Sequence, residues 1–258
     1  MSFGHCDAAV PQALILAAGV GKRLSAMGKD AHRGPKALLD FDGKTLLQRH
    51  IELLRQSGIN TITVIAGFEA DSVRTALEAL PSGPPVCVLI NPAFREGSVV
   101  SLWAGRSVLE SGAPVILMDA DVIYDYRLMT RLVESSKSNV LLLDREIEPG
   151  DEPVKLCVRN GQIVDFRKKP TEAHEWYGES VGFFRFTPDA AAELARRTGD
   201  YVANGRRTME YEEPIRDMIM ASPADRFGFE DISGLPWTEI DFPEDVVKAH
   251  ALLPELVS

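Results

Sequence analysis

The first half of the chain alternates short apolar runs with longer stretches of helical spacing. Residues 13–18 form a continuous apolar run that ends in Gly19. Residues 45–57 repeat apolar positions at three- and four-residue intervals and stop at Gly58, which predicts a helix. Residues 61–66 are β-branched and apolar and predict a strand. Asp71 has the chemistry of an N-cap for a helix through residue 79. The same reading gives strands at 86–90, 114–118 and 140–143, and helices at 98–109 and 128–136. Strand–helix alternation of this kind predicts an α/β chain: a Rossmann-like, doubly wound, mixed but mostly parallel sheet. Right-handed crossovers then gather the loops that follow the strands along one edge, where ligands bind. Gly19 and the acidic turn Asp119-Ala120-Asp121 both follow strands, so both are expected at that edge.

After Asp144 the pattern changes. Residues 154–158 and 162–167 flank Asn160-Gly161, a type I′ hairpin signal. A strand is expected at 180–186, helices at 189–197 and 210–221, and a strand-like run at 236–242 before Pro243 opens a terminal helix. No linker or repeat divides the 258 residues, so a single domain is expected, built from the halves 1–145 and 146–258.

Charge and composition narrow the partners. A net charge of -10 argues against a nucleic-acid surface, so any bound phosphate must meet a local cluster of Lys and Arg. No run approaches the ~20 apolar residues that span a bilayer, and the N-terminus has no signal-like core, so the cytoplasm is the expected compartment and no membrane partner is expected. Cys6, Cys87 and Cys157 fit neither a disulfide framework nor a zinc spacing; Cys87 and Cys157 are expected in the core.

The apolar run at 14–18 leads into Gly19-Val20-Gly21-Lys22-Arg23-Leu24, and Gly34-Pro35-Lys36-Ala37-Leu38 follows. Backbone without Cβ atoms can bring N–H groups up to phosphates, and Arg23 and Lys36 can neutralise them. A P-loop requires Ser or Thr after Gly-Lys, where this chain has Arg23. A dinucleotide fingerprint requires a third small residue where this chain has Leu24, although Asp40 stands about where a ribose-binding acid would.

The segment instead resembles the L-A-A/G-G-x-G-x-R-L/M … P-K-x-L signature of GT-A-like nucleotidyltransferases, the MobA-like NTP transferases, which act on sugar phosphates, molybdopterin, polyol phosphates and phosphocholine. The resemblance extends through Gly43-Lys44-Thr45, Asp119-Ala120-Asp121, Lys168-Lys169-Pro170 and Ser180-Val181-Gly182-Phe183-Phe184 to Trp237-Thr238-Glu239-Ile240-Asp241-Phe242-Pro243-Glu244-Asp245. The chain stops soon after, so the left-handed β-helix of bifunctional members is not expected.

The resemblance implies transfer of a nucleotidyl group from a nucleoside triphosphate to a phosphorylated acceptor, with release of pyrophosphate. The half 1–145 would bind the nucleotide and the half 146–258 the acceptor. Arg23 and Lys36 would be catalytic, gripping the triphosphate. Leu16, Ala17, Ala18, Gly19 and Gly21 would read the nucleotide through their backbone; Lys22 would help or would be a solvated loop charge. Asp121 and Asp241 would hold Mg2+, with Asp119 in reserve or serving as a turn residue; hard carboxylate oxygens suit that ion. Glu96-Gly97-Ser98-Val99-Val100-Ser101-Leu102 resembles an element of phosphocholine-type cytidylyltransferases, which favours CTP. Ser98 would cap its helix or contact the nucleotide, and Ser101 would contact base or ribose. The loop 25–34, with Asp30, His32 and Arg33, is longer than in molybdopterin members.

Lys168 and Lys169 would reach the acceptor phosphate or form a surface charge run. Aromatic and acidic residues mix at Trp176, Tyr177 and Glu179, at Glu210, Tyr211, Glu212 and Glu213, and at Trp237, which suits a cationic acceptor such as phosphocholine or an aminoalkyl phosphonate. Inositol, other polyol and sugar-1-phosphates stand as alternatives. Readings of another class are an NAD-dependent oxidoreductase and a non-catalytic nucleotide sensor. A homodimer is compatible with these expectations.

Overall fold

The computed structural model of the chain describes residues 10–25, 34–81, 83–146 and 152–257. In chain order the first half contains β1 (Gln12–Ala17), α1 (Lys22–Ser25), β2 (Asp40–Phe41), β3 (Lys44–Thr45), α2 (Leu46–Gln56), β4 (Ile62–Ala66), α3 (Ala70–Glu78), β5 (Cys87–Ile90), α4 (Ser98–Ala104), α5 (Arg106–Leu109), β6 (Val115–Asp119), β7 (Val122–Tyr124), α6 (Tyr126–Glu134) and β8 (Asn139–Asp144). The second half contains β9 (Lys155–Arg159), β10 (Gln162–Arg167), β11 (Trp176–Phe186), α7 (Pro188–Ala203), α8 (Glu212–Met220), β12 (Phe227–Asp231), β13 (Trp237–Glu239) and α9 (Pro243–Leu252).

Nine strands form one mixed sheet in the order β10-β9-β11-β6-β1-β4-β5, with β8 paired to β11 and β12 to β8. Strand β1 is parallel to β4 and β6, and β4 is parallel to β5. The doubly wound α/β architecture expected from the alternation is therefore present. Its apolar runs are continuous because both faces of the sheet are covered. In β1, Ala13, Ile15 and Ala17 pack into one core layer with Leu47, Ile51 and Leu128. Leu14, on the other face, packs with Leu102, Leu194 and Phe184.

Local chemistry explains several element ends. Thr45 caps α2, its hydroxyl accepting from the Gln48 N–H at 3.1 Å. Thr187 caps α7 in the same way through Ala190, and the helix runs six residues beyond the expected end at 197. Asn160 and Gly161 both have positive φ, as a type I′ hairpin requires.

Three expectations need correction. Helix 98–109 is split at Gly105, where the Leu14 side chain packs so closely that a Cβ would stand 2.8 Å from its Cδ2. Asp71 does not cap α3, which starts two residues earlier than that cap predicts, at Ala70, after Glu69 in a left-handed conformation. Cys87 is exposed because β5 is the sheet's edge strand, whereas Cys157 is buried as expected and Cys6 lies outside the described residues. Among the described residues no helix is long and apolar enough to cross a membrane.

His50 ties this core to the sheet edge. It is fully buried, and its Nε2–H donates to the Ala120 carbonyl at 3.2 Å. Burial lowers its pKa to about 4, against which the bond to Ala120 works only in part. The unfolded chain therefore takes up this proton near pH 6.5 and the folded chain near 4, so the contribution to stability is complete above 6.5 and is lost as pH falls between them. Between pH 7.5 and 4.5, wild type is expected to lose roughly 2 to 3 kcal/mol more than His50→Gln in urea unfolding. Equal losses in the two proteins would contradict this.

Candidate active site

Two strand ends build the centre of the site. Strands β1 and β6 run parallel with Leu16 opposite Asp119, so the glycine turn after β1 and the acidic turn after β6 leave the sheet side by side. The Ala120 N–H donates to the Leu16 carbonyl at 3.2 Å and fixes the two turns together.

A cavity of about 320 Å³ opens beyond the glycine turn. Gly19, Gly21, Arg23, Lys36, Ser98, Ser101 and Asp241 line it, as do Phe94 to Gly97. Gly21 has φ +63, and a Cβ there would stand 3.0 Å from Lys36 Cγ, so the bare backbone lets the lysine stem lie across the turn. Leu16, Ala17 and Ala18, expected to read the base, do not line this cavity. They belong to the sheet and its exit, and the Leu16 and Ala18 carbonyls already accept from Ala120 and Phe68. Ser98 does not cap its helix, since Gly97 occupies that position; its Oγ accepts from the Tyr211 N–H at 2.8 Å. Ser101 Oγ accepts from Asn91 Nδ2 at 3.0 Å. The Lys22 side chain and residues 26–33, including Asp30, His32 and Arg33, lie outside the described residues.

Charges interlock at the cavity floor. Lys36 Nζ lies 2.6 Å from Asp241 Oδ1 and 3.1 Å from Asp121 Oδ2. Arg23 bonds Asp241 and Glu152, each at 2.8 Å, and lies over the Phe242 ring. Burial would lower the Lys36 pKa, but Asp121 and Asp241 outweigh it and hold the amine protonated above its usual range. Burial would raise the Asp241 pKa; Lys36, followed by Arg23, keeps it below the usual carboxylate range instead.

Asp121, Glu239 and Asp241 place carboxylate oxygens within 4.8 Å of one another. The expected pair thus meets across 120 residues of sequence, but its third member is Glu239, not Asp119. Desolvation, then the nearby Asp121 and Asp241, push the Glu239 pKa well up, a crowding that a bound cation would relieve. Three hard oxygen donors fit a divalent ion such as Mg2+.

Asp119 has another part. Its Oδ2 accepts from the Tyr211 hydroxyl at 2.6 Å. Burial, followed by Asp121 and Glu212, raises its pKa well above the ordinary value. Gly182, at φ +76, faces that oxygen so closely that a Cβ would overlap it.

A second cavity, of about 260 Å³, lies on the far side of Asp241. Its wall includes Asp119, Asp121, Lys168, Ser180, Gly182, Glu210 and Glu212. Arg23, Ser98 and Asp241 line both cavities. Lys168 reaches this space, paired with Glu210 at 3.2 Å, while Lys169 is exposed and does not line it. Tyr211, expected to touch the acceptor with its ring, buries that ring edge-on against Phe184 and offers only its hydroxyl. Trp237 donates its indole N–H to Asp144 at 2.7 Å and, with Glu179, lines a neighbouring acidic cavity of about 580 Å³ instead. Sequence reasoning passed over Glu152, whereas Glu212 belongs to the acidic run expected near the acceptor. Glu212 Oε2 is buried with no hydrogen-bond partner, and burial, then Glu210, push its pKa up to about 7.

The chain is 28% identical over 238 residues to a bifunctional IPC transferase and DIPP synthase of Rubrobacter xylanophilus, covering 91% of this chain and 50% of that protein, so it spans about half that relative's length. It is 29% identical over 211 residues to a 2-aminoethylphosphonate cytidylyltransferase of Lancefieldella rimae, covering 80% of each. The CTP:phosphocholine cytidylyltransferase of Streptococcus pneumoniae shares the fold, with TM-score 0.75 and 21% identity over 95% of this chain and 99% of that one. The model of the MobA-like NTP transferase domain matches residues 13–207, and the chain belongs to that family.

Proposed function

We propose that this chain is a Mg2+-dependent cytidylyltransferase that joins CTP to a small phosphorylated or phosphonate acceptor and releases pyrophosphate. The observation that carries this reading is the meeting of two cavities at Arg23, Ser98 and Asp241, beside a cluster of three carboxylates. Hydride transfer does not require such a cluster, and neither does nucleotide sensing.

In the reaction an acceptor oxygen bonds to the α-phosphorus of CTP. The bridging P–O bond to the β-phosphate breaks, and pyrophosphate leaves with that electron pair. The nucleophile is already anionic, so no strong base is needed; the protein must offset charge and hold the line of attack. Lys36 and Arg23 carry fixed positive charge at the junction of the cavities and would receive the triphosphate. Bound by Asp121, Glu239 and Asp241, Mg2+ would supply Lewis-acid stabilisation of the phosphoryl oxygens. Lys168 would meet the acceptor's phosphate or phosphonate.

Acid predominates on the acceptor side. Glu212 and Asp119 both lie away from the lysines' direct ion pairs, and an acceptor with a cationic nitrogen would satisfy them. This supports phosphocholine or an aminoalkyl phosphonate over a neutral polyol or sugar phosphate. The test crosses four nucleoside triphosphates with phosphocholine, 2-aminoethylphosphonate, inositol-1-phosphate and glucose-1-phosphate, reading pyrophosphate. Turnover is expected with CTP and one of the two cationic acceptors. Glu212→Gln should then raise that acceptor's KM about tenfold, the size of one charge-assisted contact, with the KM for CTP unchanged. Turnover confined to inositol or glucose phosphate would overturn the cationic assignment.

A further inference from the structure

The segment before α8 is strapped across the start of α4. The Gly97 N–H donates to the Arg207 carbonyl at 2.8 Å, and the Val99 N–H to the Met209 carbonyl at 3.2 Å. Arg207 grips Glu96 through two guanidinium nitrogens. Backbone meets backbone here because residue 97 has no side chain; a Cβ would collide with Met209 O and with the Thr208 carbonyl carbon. Between these bonds the Ser98 Oγ accepts from the Tyr211 N–H at 2.8 Å. Tyr211 passes the constraint on, since its hydroxyl holds Asp119 at 2.6 Å, and both line the second cavity with Glu210 and Glu212.

We infer that Ser98, although it stands in the wall of the nucleotide cavity, is a positioning residue for the acceptor: it anchors Tyr211 and, through it, Asp119 and the start of α8. The inference rests on the two-substrate reading above. Ser98 is suited to this because it opens the first turn of α4, where its hydroxyl oxygen meets the strap at the Tyr211 N–H. Loss of the accepting oxygen leaves the Tyr211 N–H without its partner, and an unsatisfied amide of this kind loosens the segment that carries it. The effect should fall on the substrate that the segment faces.

The test compares wild type with Ser98→Ala and Ser98→Thr, using CTP with whichever acceptor of the panel wild type turns over. CTP binding is measured separately by calorimetry, and exchange of the Tyr211 amide by NMR. Expected for Ser98→Ala are an acceptor KM raised about tenfold, CTP affinity within twofold of wild type, and faster Tyr211 amide exchange. Ser98→Thr, which keeps an accepting oxygen, should restore the acceptor KM. A weakened CTP affinity with an unchanged acceptor KM would overturn the inference and return Ser98 to the nucleotide. An unchanged acceptor KM in Ser98→Ala, with wild type active, overturns this inference alone. Absence of wild-type turnover with every acceptor overturns the functional reading and this inference with it.

Discussion

Replacing Asp241 with asparagine is expected to lower the rate of pyrophosphate release by a factor on the order of a thousand. Asp241 is the group at which the site's charges converge. Its two oxygens meet Lys36 at 2.6 Å and Arg23 at 2.8 Å, and it shares the carboxylate cluster with Asp121 and Glu239. An amide keeps the shape and removes the charge. Lys36 would then keep one carboxylate contact, at Asp121, and Arg23 would keep Glu152. A cation held by three acids would be held by two. The fold should survive, because the residue is partly exposed and the backbone bonds of this segment do not use its side chain. Asp119→Asn provides the comparison: Asp119 lies outside the cluster and accepts from Tyr211, so its loss should cost much less. Activity within tenfold of wild type in Asp241→Asn would show that the cluster does not carry the reaction.

The second large effect is expected at Gly182. An alanine there must adopt φ +76, a left-handed conformation that costs an L-residue about 1–2 kcal/mol. Its Cβ would also overlap Asp119 Oδ2, and Asp119 cannot swing away freely while Tyr211 holds it. Gly182→Ala is therefore expected to lose about 2–4 kcal/mol of stability, a drop in Tm of roughly 5–10 °C, with turnover reduced about a hundredfold. Gly205→Ala separates the causes. Gly205 has φ +74 with open space around the added methyl, so it should show the backbone cost alone. Equal losses at the two positions would mean that the contact with Asp119 contributes nothing.

What could be read from the sequence was local or period-bound. The glycine turn, Arg23 and Lys36 lie within one short signature, and the strand–helix alternation exposes the parallel sheet because both its faces are buried. Glu239 was missed, yet it left a signal. It stands two residues before Asp241, with fully buried Ile240 between them, and in extended chain that spacing sends both acids to the same side. Ser98 left no such signal, since its partner Tyr211 is 113 residues away and backbone amides carry no identity in sequence. For Tyr211 the surrounding glutamates suggested a ring turned to a cationic acceptor, but that ring packs against Phe184, a contact only the folded chain reveals. Cys87 failed for a related reason: an apolar run does not say which strand ends at the edge of the sheet.

Strand β11 has a mechanical consequence. It pairs antiparallel with β6, which carries Asp119, and also with β8 and β9, so strands of both halves share one hydrogen-bonded sheet, with a register shift between Ser180 and Phe184 in the β8 pairing. A jaw-like rotation of one half against the other would tear that sheet. Among the described residues, ion pairs such as Arg23–Glu152 can change partners around a substrate without disturbing that sheet.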